Sequence, residues 1–382
     1  MPLLTRKKQF ALKVESVEGT AETLAAADVV MEVEETEANY TPEMQERDPL
    51  RKHLSPKGSV VGIEMGEATG RTETAPGATT TTKPNVDRLL LACGLQVHTA
   101  RSFLLAGAPA GTFLPGERIT GDAVGDGFFV RLDTLTVTYV EIVAFAATEV
   151  VTGSISAATA TTDATPALAD VGFGYRPNSV NPDSFTAAVM ADGIRKQVFG
   201  ARAEASLEVG GTGQVGFWAF TMSGAMTSPV DSVLFAGVTV PDDVPETFKN
   251  AAVKTDDATE LCVDTFNLAL GNTVARRSCS NAATGVKSYR ITNRRPVISI
   301  DPEAELEATI NFFGKFAGGT LFSFYAQIGS TAGKRTIVCA PRVQYQEMPG
   351  GDREGIMIYS PTLLCTKGGH PDGDDEVLIV FA

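Results

Sequence analysis

Apolar and polar residues alternate with a period of two over much of the chain. Phe10, Leu12 and Val14 interleave with Lys13 and Glu15, and Val61, Ile63 and Met65 with Gly62 and Glu64. Ala203, Ala205, Leu207 and Val209 alternate with Glu204, Ser206 and Glu208, and Leu306, Ala308, Ile310 and Phe312 with Glu305, Glu307, Thr309 and Asn311. Phe322, Phe324, Ala326 and Ile328 form a further run, and Val377, Ile379 and Phe381 close the chain. Successive side chains of a strand point to opposite faces, so each run predicts a strand with one dry face and one wet or partner-covered face. Residues 214–222 are apolar both ways, with Trp218 and Phe220 on one face and Val215 and Phe217 on the other. Such a strand is buried on both sides, or one side meets another subunit.

Helix signals are few. Pro84, Asn85 and Asp87 precede Leu89, Leu90, Leu91 and Ala92, and Gly94 follows, which is the order of a capped helix over residues 84–94. Residues 245–252 are a second candidate and 24–27 a third. Two loops stand out. Residues 39–57 carry Pro42, Pro49 and Pro56 with mixed charge and almost no periodicity, and a loop of that length in a compact β domain is usually functional or contacts a partner. Tyr40, Met44 and Leu50 are its anchor candidates. Residues 70–84, rich in Thr, Gly and Pro, read as a mobile or partner-ordered segment. The stretch 99–175 is rich in Thr, Ala and Gly and contains an echo, Glu117 to Gly121 and Glu149 to Gly153, both E-x-(I/V)-T-G. The echo predicts two equivalent turns in one small module, and the change of composition divides the chain into regions 1–98, 99–175 and 176–382.

The expected fold is therefore mainly β: antiparallel sheets forming a sandwich or half-barrel, with one or two short helices. The composition agrees, with 37 glycines and 20 prolines in 382 residues and 43% apolar residues. No apolar run reaches the roughly 18 residues needed to span a bilayer. The basic start, residues 1–8, lacks an apolar core behind it, so a chain made in the cytoplasm is expected. The net charge of -14 argues against a protein that grips nucleic acid, yet suits a surface past which a polyanion slides.

Candidate chemistry is sparse. The histidines His53, His98 and His370 lie far apart, and the five cysteines (Cys93, Cys262, Cys279, Cys339, Cys365) lack a CxxC pair and read as reduced and mostly buried. The glycine-rich segments 121–127 and 210–213 are followed by strand patterns, so they are turns and not phosphate cradles. Residues 370–376 are acidic but lack calcium-loop spacing and read as a solvated turn. The pairs Arg276–Arg277, Arg294–Arg295 and Lys334–Arg335 are dispersed and offset by acids, as in salt-bridged rims. No catalytic constellation, cofactor motif or metal site is expected.

Several segments, taken in order, resemble the major tail tube proteins of long-tailed (siphovirus-type) bacteriophages. Residues 10–21 are similar to that family's first strand and turn, and residues 89–95 to its helix after the strand at 58–67. Residues 192–202, leading into 207–209 and 217–224, are similar to its mid-chain pattern. Residues 340–345, 351–356 and 374–381 resemble its C-terminal hairpins. The resemblance implies a structural virion protein of the phage tail, made in the host cytoplasm, that self-assembles into stacked rings. The rings form a conduit whose lumen DNA crosses without binding, and a tape measure protein and tail terminator are the implied partners. It implies no enzyme activity, no cofactor and no membrane. Two ring orders stay open: a trimer with pseudo-sixfold symmetry, because 382 residues can hold two tube units, and a hexamer. The contacts between subunits are expected at Tyr40, Met44, Leu50, Trp218 and Phe220. Another tail or connector component, or a carbohydrate-binding β-sandwich module, is the alternative.

Overall fold

The alternation is realised as strands from end to end of a computed structural model, which describes residues 4–77, 79–240, 244–256 and 259–382. Met1 to Leu3, the start of the basic N-terminal segment, lie outside the described residues. The chain begins with β1 (Lys8–Val14), a 3-10 turn (Ala26–Asp28), β2 (Glu34–Tyr40), the hairpin β3 (Met44–Arg47) and β4 (Lys57–Val61), β5 (Met65–Glu73) and α1 (Asp87–Ala92). Seven strands follow: β6 (Leu95–Leu104), β7 (Arg118–Gly121), β8 (Asp126–Asp133), β9 (Thr136–Val143), β10 (Val150–Gly153), β11 (Thr159–Thr161) and β12 (Ala169–Pro177). Next come β13 (Phe185–Ala191), β14 (Gly193–Val209), β15 (Phe217–Met226), β16 (Val230–Ser232), β17 (Ala252–Thr255), β18 (Thr259–Glu260) and β19 (Phe266–Ala269). The remainder is the hairpin β20 (Asn272–Ser278) and β21 (Val286–Arg294), β22 (Val297–Ile300), α2 (Phe312–Ala317), β23 (Phe322–Ile328), β24 (Thr336–Glu347), the hairpin β25 (Gly350–Arg353) and β26 (Ile356–Tyr359), β27 (Thr362–Cys365) and β28 (Leu378–Phe381).

Two sets of strands repeat one topology. In the first, the hydrogen-bonded order is β1–β13–β14–β15–β5–β2, with β16 on the early part of β14. In the second it is β17–β23–β24–β27–β22–β19, with β28 on the early part of β24. Every pairing is antiparallel. Each set sends a hairpin out between its second and third strands in chain order, β3–β4 or β20–β21, and each follows its third strand with a short helix. Both helices stop at a left-handed glycine, Gly94 at φ +77 and Gly319 at φ +59, a position that only a residue lacking Cβ takes readily. The sets join where β14 pairs β19, Ser206 opposite Ala269 through Val209 opposite Phe266. The result is one eight-strand run, β2–β5–β15–β14–β19–β22–β27–β24. The first set draws strands from both sides of residues 99–175.

Apolar residues from both sets fill one core beneath that run, including Phe10, Leu12, Leu89, Leu90, Trp218, Phe220, Phe266, Phe324 and Phe381. The strands β7 to β11 enclose a second, separate core of Phe103, Phe113, Phe129, Tyr139 and Phe145. The two echoed segments pair with each other, Thr152 opposite Thr120. Their glutamates are buried and act reciprocally. Glu149 accepts hydrogen bonds from the backbone of Ala123, Val124 and Gly125, just past the first repeat. Glu117 accepts from Ile155 and Ser156, just past the second. This is why each repeat ends in glycine: a Cβ on Gly121 would lie 1.9 Å from Glu149 Oε1, and one on Gly153 2.6 Å from Glu117 Oε1. On β28, Ile379 and Phe381 face the main core while Leu378 and Val380 face this module. The module therefore lies behind the layer opposite the eight-strand run.

Four sequence expectations are corrected. Residues 245–252 are not helical, because the Phe248 backbone pairs with Gly213 and Gln214 in the turn of the first set. Residues 305–312 form no strand. Leu306 and Ala308 are exposed, and Asn311 Oδ1 accepts from the Gly314 amide at 2.8 Å and starts α2. The 39–57 loop ends in ladder, Met44 opposite Val61. The 58–67 strand is two strands, interrupted at residues 62–64.

Candidate functional surfaces

Alternation along the eight-strand run leaves one face uncovered. On β14, Ala203, Ala205, Leu207 and Val209 are buried and Glu204, Ser206 and Glu208 are not; on β15, Trp218, Phe220 and Met222 are buried and Phe217, Ala219 and Thr221 are not. The open face carries Glu37, Glu67, Glu73, Glu204 and Glu208 among neutral Thr69, Thr221, Ser206, Asn267, Ser299 and Gln344. Its cations include Arg71, whose guanidinium lies 3.9 Å over the Phe217 ring, Arg342 at the far edge and Arg295, which donates to Gln346 Oε1 at 3.4 Å. Burial pushes the Glu204 carboxyl up, against the amides of Gly271 and Asn272 that donate to it. This is a broad, predominantly anionic wall with open, shallow depressions lined by Arg71, Glu204, Ser206 and Glu208. A polyanion beside it meets like charge and small polar groups, not the cationic contacts that release counterions and bind.

The two hairpins that leave the run differ. Hairpin β20–β21 lies across the first set. Asn272 donates to the Cys93 carbonyl at 2.8 Å, Arg276 pairs with Glu43 at 2.5 Å, and Ser288 and Arg290 both donate to Glu18, at 2.6 and 3.0 Å. Val286 and Tyr289 pack there against Ala225, Ile63 and Phe199. The hydrogen bond from Arg290 leads the set of contacts that hold the Glu18 carboxyl down to about 2. Hairpin β3–β4 instead projects, and residues 44–62 are exposed throughout, Met44, Leu50, Leu54, Val60 and Val61 among them.

Of the residues singled out in the sequence, Met44 and Leu50 thus sit on this free arm. Tyr40 is half-buried at its base and donates to Glu64 Oε1 at 2.5 Å. Trp218 and Phe220 lie elsewhere, buried in the main core with Phe220 against Phe10. The alternation of β15 turns them inward, so the side chains this strand offers outward are Phe217, Ala219 and Thr221. Sequence reasoning missed a further apolar surface around α2: Leu306, Phe313, Phe316 and Leu321 are all exposed. Its signal was present in Phe312, Phe313 and Phe316, but the sequence reading ended its strand at Phe312 and left the other two unread.

Other polar groups are structural. Arg294 pairs with Asp374 at 2.7 Å and Glu376 at 2.5 Å, and buried Asp375 accepts from the Gly368 and His370 amides, so the acidic 370–376 segment is tied down and not a free solvated turn. Arg276 and Arg277 pair with Glu43 and Glu18 within the chain. Cys93, Cys339 and Cys365 are buried, Cys279 is half-buried and Cys262 exposed. Among the described residues no group of three His, Cys, Asp or Glu is set to hold a metal ion, and no helix is long and apolar enough to cross a membrane.

In comparison with known families, the model described as phage tail tube protein matches residues 5–360, nearly the whole chain. No curated protein matches the sequence.

Proposed function

The chain belongs to the phage tail tube protein family, as a structural component of the virion that assembles into the tail tube, and from that premise we propose that the tube is a stack of three-copy rings. The observation that carries this reading is the repeated topology. Two sets of strands per chain give six equivalent sets in a ring of three. In each copy the β14–β19 ladder joins set to set. The outer edges of the run, β2 at one end and the later part of β24 at the other, are the unmatched halves of the same ladder. Joining β24 of one copy to β2 of the next is a head-to-tail contact, and such contacts close into rings when the rotation permits. Closure also removes the exposed edges that would otherwise template aggregation.

In this ring the anionic face lines the lumen, and residues 99–175 form an inserted module on the exterior. The regions 1–98 and 176–382 together supply the two tube units. DNA passes the wall without specific binding, the tail is of the siphovirus type, and a tape measure protein and tail terminator are the partners. The single tryptophan is buried in the core and offers no platform for a sugar ring. Electron microscopy of the purified protein, with the mass of its isolated rings, tests the proposal. Rings of three chain masses support it; persistent monomers, or rings of six chain masses, refute it.

A further inference from the structure

The internal junction is a template for the one between copies, and it contains more than the β14–β19 ladder. Hairpin β20–β21 of the second set reaches back over the first set and covers the end of α1. Asn272 binds the Cys93 carbonyl, and a Cβ on Gly94 would come within 2.7 Å of Ile291. Leu91, three residues before Gly94, is half-buried at that end, while Leu89 and Leu90 face the main core. The equivalent helix α2 has no such cover within the chain. Phe313 is 44% exposed, Phe316 37% and Leu321 46%. The equivalent hairpin, β3–β4, covers nothing within the chain. One element of each pair is left over, at opposite ends of the molecule.

We propose that arm β3–β4 of one copy lies over α2 of the next copy in the same ring, an inference that rests on the ring proposed above. The chemistry of the two surfaces is complementary. Between residues 44 and 61 the arm carries Arg47, Arg51, Lys52 and Lys57 against Glu46 and Asp48, an excess of two positive charges in a chain of net charge -14. The approach to α2, residues 301–311, carries Asp301, Glu303, Glu305 and Glu307 and no Lys or Arg. Asp301 and Glu303 are taken by Arg353, which leaves Glu305 and Glu307 exposed. Both surfaces also present apolar side chains, Val60 and Val61 on the arm and Phe316 and Leu321 at the helix. Superposing the two topologies puts the end of β4 where Ile291 sits, at the C-terminal end of the helix. Burial of these apolar groups drives the contact, and the opposed charges set its direction.

The test is a cross-link. Val61→Cys and Leu321→Cys are introduced together with Cys262→Ser and Cys279→Ser, and assembled tubes are treated with a short flexible bis-maleimide and denatured. The expected product is a ladder that stops at three chains, because contacts within a ring close on themselves. A ladder that runs past three into long polymers places the arm between rings, and no cross-link in tubes with three-copy rings places it elsewhere; either overturns the inference and leaves the tube intact. A ladder stopping at six keeps the docking and overturns the three-copy ring. Failure of the unmodified chain to form rings or tubes overturns the ring reading itself. Phe316→Glu provides an independent check without cysteines. The variant is expected to keep the subunit's melting temperature and to lose ring formation, and unchanged rings would contradict the docking.

Discussion

Glu149 is buried with four backbone amides aimed at it: Ala123, Val124 and Gly125 on one oxygen, and Ala146 on the other at 2.7 Å. Burial alone would raise its pKa, but these donors outweigh burial and hold the carboxyl below its usual range. The site therefore needs two accepting oxygens. Glu149→Gln puts an amide NH2 against one or more of these donors, and is expected to cost about 2–4 kcal/mol, with Glu149→Ala costing at least as much. Thermal unfolding followed on the free subunit checks this, and a change below about 0.5 kcal/mol would show that the reciprocal staple is not what holds the module. The E-x-(I/V)-T-G echo was legible in the sequence, but its meaning was not. The glutamate of each repeat serves the loop after the other, and that swap depends on β7 pairing with β10. The same limit applied to Trp218 and Phe220. Their shared face followed from the alternation; which face meets the core followed only from the β5–β15–β14 ladder. Trp218→Ala is expected to destabilise the subunit by about 3–5 kcal/mol as a core truncation.

At the scale of elements, the strands were legible wherever alternation met a ladder, and α1 was legible from its flanking turn residues and apolar run. Element α2 was not, because Leu306, Ala308, Ile310 and Phe312 mimic a strand while the side chain of Asn311 nucleates a helix. The loop at residues 39–57 was recognised as unusual, yet its hairpin was hidden by Pro49 and Pro56, which lie in the link between β3 and β4. Replacing Tyr40, Met44 and Leu50 together by alanine is expected to leave the subunit folded, since the last two are exposed and outside every core, and to abolish assembly into tubes. Tubes of normal yield would show that the arm is dispensable. The clamp of β20–β21 on the first set carries a pH signature. Glu18 is held at about 2 in the folded chain against an ordinary value of 4.5. A carboxyl with a lowered folded pKa contributes stability that is present above about 4.5 and is lost as pH falls toward about 2. Glu18→Gln removes that contribution, so its stability deficit is expected to be largest at neutral pH and to shrink between about pH 4.5 and 2. A deficit independent of pH would argue that Glu18 acts through packing alone.

At the scale of the whole molecule, length and the strand runs on both sides of residues 99–175 suggested two tube units. Strands β13 to β15 complete a set that β1, β2 and β5 begin, so the repeat crosses residues 99–175 and has no counterpart in local sequence similarity. Net charge suggested a non-adhesive wall without locating it; the alternation on β5 and β14 puts Glu67, Glu73, Glu204 and Glu208 on the open face. Assembled tubes are accordingly expected to retain no DNA at low salt, where screening is weakest and any phosphate attraction greatest. Retention that disappears as salt rises would point to a basic interior.

The claim on which the rest depends is that one chain supplies two equivalent tube units, only the first of which bears the inserted module. Cross-sectional averaging of assembled tubes by electron cryomicroscopy tests it most directly. The account predicts an inner wall with sixfold repeat and an outer rim with three protrusions per ring, each protrusion being one copy of residues 99–175. Six protrusions per ring, matching six copies of the chain, would contradict it.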